Sequence, residues 1–241
     1  MAAAEASPRD EGPWTGRLTA RPRTPVAAGA PWPLPPGLHP LGQGGGRDGT
    51  LRVPPEDPAL SGAPLPLIVM LHGAGSGAER ALRRLAPIAD AALLALPESL
   101  GATWDIIEDR AYGPDIVRLD AALERIFAAW PVDPARLAIA GFSDGASYAF
   151  SLGLMNGDLF SHAPAFSPGF AAPTRIVEGA RFYVSHGTAD EILPIEQCSR
   201  RLVPKLRQRG FAVRYVEFDG GHVLPPVVLR DALDFLNAPD G

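Results

Sequence analysis

From residue 65 onward, apolar positions along the chain alternate between two periods. "LPLIVMLHG" (65–73) is continuously apolar, the pattern of a strand buried on both faces of a sheet. "ERALRRLAPIADAA" (79–92) spaces its apolar residues three or four apart and predicts a helix, and "LLALPES" (93–99) predicts a short buried strand. "PDIVRLDAALERIFAAW" (114–130) opens with proline and continues with helical spacing. "RLAIAGF", "HAPAFSP", "RFYVSHG" and "AVRYVEF" predict further strands. "DGASYAFSLGLMN", "PIEQCSRRLVPKLRQRG" and "PPVVLRDALDFLNA" predict helices, the second kinked by Pro204 and stopped by Gly210. Repeated strand–helix alternation implies a mostly parallel central sheet with helices on both faces.

The first third lacks this rhythm. Proline and glycine crowd residues 21–49, which excludes a long helix there. Trp14–Ala20 and Thr50–Pro54 read as short strands on either side of this Pro/Gly-rich loop, forming an antiparallel N-terminal edge. Residues 1–13 read as a flexible N-terminus, and 1–241 as one domain.

Composition narrows the class without naming a function. With 46% hydrophobic and 20% charged residues the chain can bury a sizeable core. A net charge of -5 leaves no basic footprint for nucleic acid, and no apolar run is long enough for a membrane span. The opening residues lack the basic and apolar regions of a secretory signal, so a cytoplasmic location is expected. Cys198 is the only cysteine, which excludes an internal disulfide and fits a reducing compartment. It precedes an arginine-rich segment without a partnered histidine motif, which makes it a poor nucleophile candidate.

Candidate chemistry collects where strands end, the edge at which open α/β sheets bind ligands. Four predicted strands run into polar, glycine-containing turns: "LHGAG", "GFSDG", "SHGTAD" and "FDGGH". In "AIAGFSDGAS", a strand turning abruptly into a helix can hold Ser143 on a strained elbow, with glycine on both sides. Its alternative is a serine that merely caps the helix. A hydroxyl needs an adjacent base to act as a nucleophile, and His222, displayed after the final strand and two glycines, is the best placed. Of the other histidines, His39 lies in the proline-rich loop, and His162 and His186 read as structural, His186 fixing a turn before Asp190. Asp190 suits the role of orienting the imidazole, with Glu191 and Asp219 as rivals. The backbone N–H of Asp144 and that of Ala74, or of Gly73 beside it, are candidates for an oxyanion hole, with His72 bracing the loop. The Asp144 side chain must then point away from the oxyanion, held by neighbouring backbone or by a basic residue. Gly73, Trp104 and Tyr112 are candidates for lining a substrate pocket, although core packing explains the two aromatics equally well.

The quoted turns, with "GFSDGASYAFSLGLMNGDLFSHAPAFSPG", "HGTADEILP" and "GGHVLPP", resemble the α/β-hydrolase superfamily across residues 65 to 230. Within it they are similar to the small bacterial phospholipase/carboxylesterase group related to polyhydroxybutyrate-depolymerase-like esterases. The resemblance implies a cofactor-free enzyme that hydrolyses small-molecule esters, with Ser143, Asp190 and His222 in the triad positions. The order serine, acid, histidine is that of α/β hydrolases. The loop HGAG departs from the triple glycine of many lipases, which puts lipase-like recognition in doubt. The short stretch between "AFSPG" and "RFYVSHG" leaves little room for a cap, so an open cleft for short to medium acyl chains is expected. No clustered Cys/His/carboxylate motif suggests a metal. The competing readings are a catalytically silent hydrolase fold that serves as a binding protein, and a peptidase or thioesterase on the same fold.

Overall fold

A computed structural model of the chain describes residues 13–23, 33–44, 47–55 and 63–238. The expectation for the extreme N-terminus therefore lies outside the described residues, as does part of the 21–49 loop. Eight strands form one sheet in the order β1-β2-β4-β3-β5-β6-β7-β8. They are β1 (Gly37–Pro40), β2 (Thr50–Val53), β3 (Leu65–Leu71), β4 (Leu93–Leu96), β5 (Val132–Phe142), β6 (His162–Phe166), β7 (Arg181–Gly187) and β8 (Val213–Phe218). The six strands from β4 to β8 in this order run parallel, whereas β1 and β2 are antiparallel to their neighbours.

Alternation along the central strands divides the core into two layers. Leu67, Val69 and Leu71 of β3, with Leu137 and Ile139 of β5, face α3 (Pro114–Ala129) and α4 (Asp144–Met155). Ile68 and Met70, with Ala138, Ala140 and Phe142, face α1 (Ala78–Leu85) and α6 (Pro226–Asn237). A short α2 (Asp105–Glu108) and α5 (Ser199–Gln208) complete the α-helices among the described residues. Burying both faces accounts for the unbroken apolar runs in the sequence. The chain from 167 to 180, between β6 and β7, contains neither helix nor strand, so the sheet edge carries no helical cap there.

Three expectations need correction. The antiparallel edge exists, but the partner of Thr50–Val53 is Gly37–Pro40, from inside the proline-rich loop, and not Trp14–Ala20. Residues 17–20 are not a strand because side chains take their backbone donors. The Leu18 amide donates to Asn156 Oδ1 (2.9 Å), and those of Thr19 and Ala20 donate to Asp120 Oδ1 (2.8 and 2.9 Å). The segment is a strap across α3 and α4, with Leu18 and Ala20 buried against them. Finally, the helix expected over 79–92 ends at Leu85 and tightens into a 3₁₀ turn, since Pro87 lacks the N–H that would continue it.

Candidate active site

The elbow at Ser143 is built by close packing of backbone. Ser143 joins β5 to α4 with φ 60° and ψ −121°, a conformation that costs a non-glycine residue energy and is found where surrounding structure enforces it. Its amide donates to Phe166 O of β6 (3.0 Å), which pins the turn to the neighbouring strand. A Cβ at Gly141 would overlap the Gly145 carbonyl, and one at Gly145 would overlap the Leu71 and His72 carbonyls. The two glycines thus let α4 start directly against the ends of β5 and β3. Ser143 sits at the positive end of α4, beside amides that the helix leaves unpaired.

Two further turns meet this elbow because they are tied to each other. After β7, the Thr188 amide donates to Phe218 O and the Ala189 amide to Gly220 O, each at 2.9 Å. The turn after β7 and the turn after β8 are thereby zipped together, which fixes Asp190 relative to His222. His222 Nε2 lies 2.8 Å from Ser143 Oγ, and His222 Nδ1 lies 2.7 Å from Asp190 Oδ2. With the Ser143 hydroxyl donating to Nε2, Nδ1 carries the proton it donates to Asp190. The rivals Glu191 and Asp219 are exposed, and neither bonds to the imidazole among the described residues.

Asp190 is buried, and its other oxygen accepts the amides of Ile192 (3.0 Å) and Leu193 (2.8 Å). Burial pushes its carboxyl up, but the Leu193 amide, the His222 bond and both nearby imidazoles outweigh that and hold it below the usual carboxylate value. His186 stands behind the acid, its Nε2 3.3 Å from Asp190 Oδ2. That nitrogen donates to Leu193 O (2.8 Å), so Nδ1 accepts from the Ser199 hydroxyl (2.6 Å). Burial lowers the His186 pKa, in keeping with this neutral, fully used ring.

The opposite wall is the turn after β3. Among the described residues neither the Ala74 nor the Asp144 amide has an acceptor. Gly73 packs against Ser143, where a Cβ would come within 3.2 Å of Ser143 Cβ. His72 Nδ1 donates to Gly73 O (2.8 Å) and Nε2 accepts the Ser99 amide (3.2 Å), clamping this turn to the one after β4. Burial holds the His72 pKa below its ordinary value, which suits the accepting role of Nε2.

Two expectations shift here. Trp104 and Tyr112 are buried in the core and take the packing alternative. The Trp104 indole donates to His72 O (2.8 Å) and stacks on Tyr148, so it backs the turn after β3. The Tyr112 hydroxyl donates to Ala172 O (2.7 Å). Among the described residues the Asp144 side chain is held neither by backbone nor by a basic residue: the Thr103 hydroxyl donates to its Oδ2 at 2.7 Å. Sequence reasoning missed Thr103 and Ser199; both lie beside motif residues only in space, and a lone hydroxyl residue carries no sequence signal. Among the described residues no group of three or more His, Cys, Asp or Glu side chains is arranged to hold a metal ion. No helix among them is long and apolar enough to cross a membrane.

Sheet order, helix placement and elbow together define the α/β-hydrolase fold. Solved structures of that fold are similar to the chain. Esterase PE8 superposes with a TM-score of 0.62 at 24% identity, covering 78% of this chain and 97% of that one. The enzyme MGS-M1, an α/β hydrolase from a Medee basin deep-sea metagenome library, gives 0.60 at 18% identity, covering 83% and 96%. The Bacillus cereus carboxylesterase gives 0.58 at 17% identity, covering 72% and 88%. No family model matches the chain, and no curated protein matches it by sequence.

Proposed function

We propose that this protein is a serine hydrolase that cleaves carboxylic esters of short to medium acyl chains through an acyl-enzyme. The observation that carries the reading is the unbroken relay from the Ser143 hydroxyl through His222 to buried Asp190, mounted on a strained elbow at the helix start. The naming of three similar folds as esterase, carboxylesterase and α/β hydrolase agrees with it.

In the first half-reaction Ser143 Oγ attacks the ester carbonyl while His222 Nε2 takes its proton, and Asp190 stabilises the imidazolium. The carbonyl oxygen becomes an oxyanion, which the Ala74 and Asp144 amides receive; such a pair acts only as charge develops. Collapse breaks the bond to the alcohol oxygen, which leaves with the proton from His222. Water then gives a proton to His222 and attacks the acyl-enzyme, and the carboxylic acid departs as Ser143 regains its proton. One water is consumed and one acid and one alcohol are released. Gly73 forms the floor beside the nucleophile.

Initial rates on a p-nitrophenyl ester series from acetate to palmitate, with Ser143→Ala beside the wild type, test the proposal. Hydrolysis with an optimum at the shorter chains, reduced on the order of 10⁴-fold or more by the substitution, is expected. A folded protein inactive on the whole series would favour the catalytically silent reading.

A further inference from the structure

Arg80 and Arg84 stand one turn apart on α1, the helix that leaves the turn at His72–Ser76. The guanidinium carbon of Arg84 lies 4.3 Å above the ring of Phe142, the residue before the nucleophile. The same ring also meets the imidazole of His222, at 4.8 Å between centroids and tilted by 41°. The guanidinium therefore lies within the sum of those two distances of the imidazole centre. Arg84 is half-buried and Arg80 exposed, and among the described residues no carboxylate pairs with either. The acid of this helix, Glu79, pairs with Arg83 instead. Burial, then the like charge of Arg80, holds the Arg84 guanidinium below its ordinary value.

Partial burial of a cation next to another cation is unfavourable unless an anion answers it. The contact with Phe142 accounts for the position of Arg84 but leaves Arg80 unexplained, and it supplies no counter-charge. The fold thus holds one partly desolvated guanidinium, that of Arg84, against the aromatic ring that supports His222, with the exposed Arg80 one helical turn away. Under the ester-hydrolysis reading, on which this inference rests, His222 returns its proton to the departing alcohol, so the alcohol half of the substrate leaves on the imidazole side. We propose that Arg84 and Arg80 bind an oxyanion group, carboxylate or phosphate, on the alcohol half, so that the preferred substrates are acyl esters of hydroxy acids or of phosphate-bearing alcohols.

Guanidinium pairs carboxylate and phosphate oxygens through two parallel N–H donors, a geometry that lysine does not reproduce. The test compares three butyrate esters of similar shape, those of 4-hydroxybenzoate, 4-hydroxyphenyl phosphate and the neutral 4-hydroxybenzamide. Each anion-to-neutral ratio of kcat/KM is referred to Arg84→Met, so that leaving-group reactivity cancels. The wild type is expected to exceed Arg84→Met in that ratio by about tenfold or more for at least one anion. Arg84→Lys retains part of this preference, Arg80→Met loses part of it, and the control Arg83→Met keeps all of it. Should Arg84→Met fail to fold, the exposed Arg80→Met carries the comparison. Turnover of all three esters with equal ratios in wild type and variants overturns the subsite and leaves the esterase reading standing. Turnover of none overturns that reading, and calorimetric titration with 4-hydroxybenzoate and 4-hydroxyphenyl phosphate then decides the subsite. Binding that is lost in Arg80→Met and Arg84→Met supports it, and no binding to the wild type overturns it.

Discussion

Replacing Thr103 by valine keeps the shape of the side chain and removes one hydroxyl, the donor that holds Asp144 Oδ2 at 2.7 Å. Thr103 is 8% exposed and Asp144 half-buried, so water replaces the lost donor poorly. A hydrogen bond to a charged group contributes about 1.5–3 kcal/mol, and for a chain of 241 residues that corresponds to a melting temperature lower by roughly 3–12 °C. The effect on rate has a different origin. The amide of Asp144 is the proposed oxyanion donor, and a released carboxylate can swing over it. Two like charges 4 Å apart repel by about 1 kcal/mol in water and about 4 kcal/mol at an effective dielectric near 20. Turnover should therefore fall between about fivefold and a thousandfold, with KM changing little, because the repulsion grows only as the oxyanion forms. Thr103→Ser should restore both stability and rate. Steady-state kinetics with thermal melts on Thr103→Val, Asp144→Asn and the double variant separate the two effects. If Asp144→Asn fails to rescue turnover in the Thr103→Val background, the hydroxyl is not acting by restraining that charge.

Gly145→Ala should lower the melting temperature by roughly 6–12 °C, the consequence of about 3 kcal/mol of overpacking, because its Cβ would overlap the Leu71 and His72 carbonyls. A differential scan showing a wild-type melt would contradict the packing account of the elbow. His186 should make the fold acid-sensitive. Its pKa is depressed in the fold, chiefly by burial, so the unfolded chain takes the proton first, at about 6.5. The stability is fully present above that value and is lost as pH falls towards and through the folded value. The melting temperature of His186→Gln should accordingly fall less than that of the wild type between pH 7 and 5; an equal slope would place the acid sensitivity elsewhere.

The parallel sheet and the elbow were legible in the sequence because both rest on local patterns. A strand buried on two faces must be apolar throughout, and Gly141 and Gly145 flank Ser143 because neighbouring backbones leave no space for a Cβ. Residues 14–20 misled because Trp14, Leu18 and Ala20 look like a short apolar strand. Their place is decided by Asp120 and Asn156, a hundred or more residues away. Gly37–Pro40 escaped notice for the opposite reason: this edge strand is mostly exposed, so no alternation marks it. The geometric proximity of Ser143, Asp190 and His222 could be anticipated from their positions at strand ends. His72 and His186 could be anticipated as braces, but the contacts that hold them and the ring behind His222 could not. Trp104 backing His72, Ser199 behind His186 and Arg84 over Phe142 are contacts between distant segments.

The central claim, that Ser143 is an activated nucleophile, is tested most directly by incubating the protein with a fluorophosphonate and mapping the adduct by peptide mass spectrometry. The account predicts one phosphonylated residue, Ser143, with labelling slowed on the order of 10⁴-fold or more in His222→Ala. A folded wild-type protein that stays unlabelled, or that labels equally fast without His222, would contradict it.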